Sequence, residues 1–398
     1  MKVFVGIDVS KDKFNYAFVD ENDGLLGQSK AEMNRGGFTQ FWKACQSFEE
    51  AFFAMESTGS YHVNLLSFLL SNTEHVFLLN PCLVKKHQES NSLRKTKTDT
   101  TDAVAIARFL KEKGNDLHQT VPQQVQSLIS LARLRENIAE EVAKTKTQIK
   151  QKLNITFPEF LVYNVFTNFA LEMISHYPSA KSIRNTKTEK FIATLQPLLD
   201  KVGRPAKYSL EQVYQLAQES IGTADPNLES VVLFHIRHLK FLTENLDVVT
   251  DHFTKECDKT FGDQISIMTS VSGIGKITTG HFLTEISSID RFKTAKQMIA
   301  FCGTDPSIKQ SGKMSIHGKV TKRGSKSLRR TGFLMATSVP KLRDPVFRDY
   351  YQKKRNEGMP YRKAVIATWN KLARVIFAML KGNLLYNPDC ARTGIIYS

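Results

Sequence analysis

Four carboxylates stand in contexts that suit metal chemistry. Asp8 lies in Gly-Ile-Asp-Val-Ser-Lys, Glu56 in Met-Glu-Ser-Thr-Gly, and Asp99 and Asp102 in Thr-Asp-Thr-Thr-Asp-Ala. Asp8 falls inside the apolar run 3–9, and Glu56 closes a second run, 51–55. A charge on such a strand is costly unless it is paired or bound to a metal. Asp99 and Asp102 are three residues apart at the start of a helical pattern, so both carboxylates share one helix face. The donor set is hard and all-oxygen, suited to Mg²⁺ or Mn²⁺. Two such ions about 3.5–4 Å apart serve phosphodiester displacement, the chemistry of nucleases and recombinases. Taken singly, each acid has a plainer role: ending a strand, facing solvent, or favouring a helix N-terminus.

The elements that must position these acids follow from hydrophobic patterning. Strands are predicted at 3–9, 14–19 and 25–31, with a turn at 21–24. Then come a helix at 38–48, a strand at 51–55, a helix at 63–70, a strand at 75–79 and a helix after Asp99. Three hairpin strands followed by alternating helix and strand predict an α/β mixed sheet with helices on both faces. The order resembles the ribonuclease-H-like fold, whose acids on the first and fourth strands face a late helix. Beyond it, Leu128, Leu131, Arg135, Ile138, Val142, Thr145 and Ile149 alternate steps of three and four. Leu228, Val232, His235, Leu239, Leu242, Leu246, Val249 and Phe253 do the same. These seams predict coiled-coil arms that pack on each other or on a second subunit, or two amphipathic helices in one bundle. The expected domains are 1–122, 123–264 and 265–398, the last mostly helical. Ser270-Val-Ser-Gly273-Ile-Gly275-Lys276 resembles a helix-hairpin-helix phosphate cradle, or is a plain helix-breaking turn. A helix is expected from Arg362 to Lys381, ended by Gly382.

The net charge of +16 over 398 residues names the partner class. Eight Lys or Arg face a single Asp between Asp305 and Arg330, and Arg94, Lys95 and Lys97 precede the paired aspartates. Lys276, Lys319, Lys322, Arg323, Lys326, Arg329 and Arg330 are candidate phosphate contacts, since phosphate neutralisation drives the affinity of such surfaces for nucleic acid. The five cysteines are scattered and include no CxxC pair. That pattern argues for a reducing cytoplasm and against structural zinc or disulfides. No apolar run has the roughly 18–20 residues of a membrane span, and no secretory leader is expected.

Longer motifs carry a family resemblance. Gly-Ile-Asp8-Val-Ser-Lys, Glu56-Ser-Thr-Gly-Ser-Tyr61, Asn80-Pro81 and Lys97-Thr-Asp99-Thr-Thr-Asp102-Ala are similar to the N-terminal half of insertion-sequence transposases of the IS110 family, themselves similar to Piv-type DNA invertases. Ser272-Gly-Ile-Gly275, Glu285-Ile-Ser-Ser-Ile-Asp-Arg-Phe292, Phe301-Cys-Gly-Thr-Asp-Pro306, Ser311-Gly312 and Lys322-Arg-Gly-Ser-Lys-Ser-Leu-Arg329 resemble the C-terminal half. The resemblance implies a RuvC-like DEDD domain, a coiled-coil linker and a C-terminal transposase domain with a serine nucleophile. It also implies a structured guide (bridge) RNA that pairs with donor and target DNA, and a homo-oligomer, dimer or tetramer, on DNA.

Ser311 best matches the family serine, with Ser307 and Ser315 as neighbours left open. A serine needs activation before it can attack, and a following Gly lets a phosphodiester approach the backbone. The family usually has Leu or Val at the position of Thr304, and often a further Gly at that of Lys313. The preferred reading is a site-specific DNA recombinase. A hydrolytic junction nuclease would use the four acids without Ser311, and a non-catalytic nucleic-acid-binding protein would need neither. An actin-like sugar kinase also opens with Gly-x-Asp, but Val-Ser-Lys follows it here and no second Asp-x-Gly-Gly loop occurs.

Overall fold

The computed structural model describes residues 1–56, 61–79, 84, 99–114, 123–201, 208–223, 225–311, 314–320, 324–341 and 344–393, with backbone alone at 99–101, 123–124, 306–319, 340–341 and 393. The chain forms two compact units, 1–127 with 286–293, and 128–285 with 294–398.

The first unit is built on β1 (Lys2–Val9), β2 (Lys13–Asp20), β3 (Leu25–Glu32), α1 (Arg35–Cys45), β4 (Glu50–Glu56), α2 (His62–Leu70), β5 (Val76–Leu79) and α3 (Asp99–Lys113). The sheet order is β3-β2-β1-β4-β5, antiparallel through the first three strands and parallel from β1 through β4 to β5. Alternate residues of a strand face opposite sides of the sheet. Val3, Val5, Ile7 and Val9 therefore join Phe14, Tyr16, Phe41, Leu65 and Leu69 in a core beneath α1 and α2. Phe4 and Phe52 project to the other side, against Phe77, Ile106, Phe109 and Leu110. The expected mixed sheet with helices on both faces is what forms.

Gly6 sets how closely α3 approaches. A Cβ at this position would lie 2.1 Å from the Ala103 carbonyl oxygen and 2.3 Å from the Ala107 amide nitrogen. Helix backbone thus rests directly on strand backbone, which only glycine permits. Ala103, Ile106, Ala107 and Leu110 are almost fully buried along that contact. Gly6→Ala is expected to cost about 1–3 kcal/mol through overpacking. A lowered thermal midpoint, with strand cleavage lost before folding is, would show it.

In the second unit α4 (Gln123–Thr156) is followed by α5 (Asn168–His176), α6 (Ala180–Arg184), α7 (Thr188–Asp200), α8 (Leu210–Glu219) and α9 (Pro226–Thr269). Both predicted seams turn inward. Val142, Ile149 and Leu153 of α4 share one core with Val232, Ile236, Leu239 and Leu242 of α9 and with apolar residues of the four short helices. The two long helices thus share one core with the helices between them, the bundle alternative. The 44-residue α9 runs past Ile265, so the expected domain start falls inside a helix, four residues beyond a local break at Phe261.

The unit continues with α10 (Lys276–Ile286), α11 (Ala295–Phe301), β6 (Pro306–Ser311), β7 (Met314–Val320), α12 (Lys326–Lys341), α13 (Pro345–Asn356), α14 (Tyr361–Gly382) and α15 (Pro388–Thr393). Ser311 lies in the β6–β7 hairpin, for which no strands were predicted. Helix α14 ends on Asn383, which takes the left-handed conformation at φ 52°, rather than on Gly382. No described helix is long and apolar enough to cross a membrane.

Candidate active site and nucleic-acid interface

Strand register gathers the acids of the first unit. β1 and β4 run parallel with Gly6 opposite Ala54 and Ile7 opposite Met55. The next pair along is Asp8 and Glu56, on the face that carries Phe4 and Gly6. Asp102 immediately precedes Ala103, whose carbonyl meets Gly6. Lys111, near the far end of α3, lies 3.0 Å from Asp23 in the turn after Asp20, which pairs with Val3, so Asp8 lies toward the Asp102 end of the same contact. All three residues are partly exposed. Asp99 begins α3, with only its backbone described.

The donor chemistry fits a hard divalent ion: three carboxylates from two strands and a helix at one end of one sheet face, with a fourth a helical turn away. Among the described side chains, no three His, Cys, Asp or Glu are close enough to hold an ion together.

Asn15 is a residue that motif reading missed. It pairs with Asp8 across β1 and β2, on the same face, and its amide side chain is buried. The alternation of β2, with Phe14, Tyr16 and Phe18 facing the opposite core, was the available signal.

In the second unit Ser311 is the last residue of β6 and pairs with Met314 at the start of β7. Ser307 lies in β6 and Ser315 in β7. Thr304, just before the hairpin, is fully buried. Its hydroxyl lies 3.1 Å from Asn370 Oδ1 and accepts the Trp369 indole N–H at 3.2 Å.

The candidate phosphate contacts divide. Lys326 opens α12 and is exposed, and Lys319 lies in β7. Lys276 opens α10 after the Gly273–Gly275 turn, with its ammonium 3.2 Å from Asp258. Arg329 donates from Nη1 to the Gly324 carbonyl at 2.6 Å. Arg330 Nη1 bonds Glu136 at 3.0 Å and Glu140 at 2.6 Å, both on α4. A phosphate would compete with those carboxylates for Arg330. Arg94, Lys95, Lys97, Lys322 and Arg323 lie outside the described residues.

Helix α12 is tied to α4 and α10 by further polar contacts. Ser327 donates to Glu136, and Ser325 donates to the buried Glu285, which also meets Arg133. His281 is buried beside this network, and its Nε2 has no hydrogen-bond partner among the described residues. Burial, then the charge of Arg135 with a smaller push from Arg330, lowers its pKa from 6.5 to about 4, against an opposing pull from Glu136. The unfolded chain therefore takes up the proton first as pH falls. Stability fully present above pH 6.5 drains away toward pH 4. Between pH 7 and 5 the loss from this residue should be about 2 kcal/mol. His281→Gln should flatten that part of the melting-temperature profile, and an unchanged profile would show that His281 is not its source.

Comparison with known proteins identifies the family. Residues 5–158 match a transposase family of DEDD type from IS110 elements, and residues 265–352 match the transposase family of IS116, IS110 and IS902. Together the matches span more than half of the chain. The chain belongs to the IS110 family of insertion-sequence transposases. It is similar to the pilin gene-inverting protein of Moraxella bovis, 22% identical over 96% of this chain and 97% of that protein. A 44.8-kDa protein of insertion element IS116 from Streptomyces clavuligerus is 21% identical over 97% of this chain and 96% of its own length. A 43.6-kDa protein of IS110 from Streptomyces coelicolor is 23% identical over 73% and 72%. The family is one of DNA transposases and recombinases, enzymes whose substrate is DNA.

Proposed function

We propose that this transposase cuts and rejoins DNA with a metal-bound DEDD cluster of ribonuclease-H-like, RuvC-like type and a covalent serine. The observation that supports it most is the packing of Gly6, two residues before Asp8 on β1, against Ala103, the residue that follows Asp102 on α3. Asp8, Glu56, Asp99 and Asp102 would hold Mg²⁺ or Mn²⁺. When bound, the ions supply positive charge against the scissile phosphate. Ser311 attacks phosphorus through its Oγ. A Ser–phosphate bond forms, the bond from phosphorus to a deoxyribose oxygen breaks, and that oxygen leaves with the proton. Attack of a deoxyribose hydroxyl on the adduct reverses the step, so strands rejoin without ATP.

Arg94, Lys95, Lys97, Lys276, Lys319, Lys322, Arg323 and Lys326 are assigned to nucleic-acid phosphates, while Arg329 and Arg330 are assigned inward roles on their bonded partners. Sequence choice falls to a structured guide RNA pairing with donor and target DNA. The three regions 1–122, 123–264 and 265–398 act as catalytic domain, arms and transposase domain in a cytoplasmic homo-oligomer.

The test is to incubate the full-length protein and Mg²⁺ with DNA carrying the element's ends and RNA transcribed from its flank, then denature. A DNA-linked protein band is expected. Cleavage without any linked protein would favour the hydrolytic junction nuclease, which uses the same acids.

A further inference from the structure

The two strands of the β6–β7 hairpin spring from a root that is fixed on both sides. On the incoming side, Thr304 is the hub of a buried polar cluster with helix α14. Its hydroxyl is 3.1 Å from Asn370 Oδ1, the Trp369 indole N–H donates to that hydroxyl at 3.2 Å, and Asn370 Nδ2 donates to the Thr304 carbonyl at 3.4 Å. Thr304 and Trp369 are wholly buried, so losing the hydroxyl would strand an indole N–H away from water. On the outgoing side, Gly324 is pressed against the incoming chain. A Cβ on Gly303, whose φ is +66°, would meet the Gly324 nitrogen at 2.6 Å, and one on Gly324 would meet the Phe301 carbonyl at 2.0 Å. Arg329 closes the contact through its 2.6 Å bond to the Gly324 carbonyl.

We propose that Thr304, Asn370 and Arg329 are positioning residues that fix the hairpin root and thereby set Ser311 for attack on DNA. A surface hairpin with no task would not require a buried hydroxyl, an indole, an amide and a guanidinium at its base. The proposal rests on the reading of Ser311 as nucleophile.

The experiment compares Thr304→Val and Thr304→Ser in the full-length protein. Val keeps the shape and removes the hydroxyl, whereas Ser restores it. Thr304→Val is expected to slow adduct formation about tenfold or more, as small misplacements of reacting groups do. Its DNA affinity should stay within about twofold, and Thr304→Ser should regain most of the rate. Amide hydrogen exchange across 306–320 should accelerate in Thr304→Val and return in Thr304→Ser. An adduct rate or an exchange profile unchanged in Thr304→Val overturns the proposal, as does slowing that Ser fails to rescue. If Thr304→Val does not fold, Asn370→Ala at its half-buried site carries the same two measurements. Ser311→Ala separates the underlying reading. An adduct that persists there removes Ser311 as nucleophile, while the exchange data still decide whether the root holds the hairpin.

Discussion

Asp8→Asn is expected to lower strand cleavage by about a thousandfold or more while leaving nucleic-acid affinity nearly unchanged. The substitution preserves side-chain volume and removes one negative charge, so β1 and the Gly6 contact with α3 should persist. What changes is the donor. An amide oxygen is a weaker ligand than a carboxylate for a hard divalent ion, and the neighbouring Glu56 and Asp102 must then hold it with less charge. Phosphate contacts by lysines and arginines elsewhere are untouched, which is why affinity survives. Labelled DNA resolved on a denaturing gel measures cleavage, and calorimetric titration with Mn²⁺ measures the ion site. Full cleavage by Asp8→Asn would remove this residue from the chemistry, and weakened Mn²⁺ binding should accompany the loss if the assignment is right.

Ser311→Ala should bind DNA and RNA yet form no protein–DNA adduct that survives denaturation. The acids lie in the unit containing 1–127 and Ser311 in the unit containing 294–398. If one subunit's acids serve another's serine, Asp8→Asn and Ser311→Ala each fail alone, and mixing them restores part of the adduct. In a randomly mixed dimer with two composite sites, one site in each heterodimer joins intact acids to an intact serine. Restoration to roughly a quarter of the wild-type level is therefore the expectation, since half the dimers are mixed and each has one of two sites whole. No restoration points to a site built within one chain. An adduct from Ser311→Ala alone redirects the search to Ser307 or Ser315.

The sheet of the first unit was legible because its signals are local. Apolar runs of the right length mark β1 and β4, and an acid at the end of each is conspicuous against them. Asp102 was legible through its spacing from Asp99. The reason for the arrangement was not, because Gly6 reads as an ordinary strand residue until Ala103, nearly a hundred positions later, is laid on it. The hairpin was hidden for a different reason. Gln310 and Gly318 stand where the alternation of Ile308, Met314, Ile316 and Val320 would place apolar residues, so the strands did not announce themselves. Arg330 illustrates a third limit. Within a basic stretch it looks like a phosphate contact, and nothing nearby reveals that Glu136 and Glu140, some 190 positions earlier, bond to it. Inward seams on α4 and α9 were visible from three-four spacing, but only packing decided that they meet each other.

The hairpin that carries Ser311 is also a lever. Pro306 to Ser311 spans five strand steps, about 17 Å at 3.4 Å per residue. A tilt of about 5° at the base would therefore carry the tip through roughly 1.5 Å, enough to decide whether an attacking oxygen reaches phosphorus. Small rotations of α14 against α12 would thereby be magnified at Ser311. If Ser311 is the nucleophile and nucleic acid seats on α12, such a lever would let that seating gate the reaction without any rearrangement of the acidic cluster.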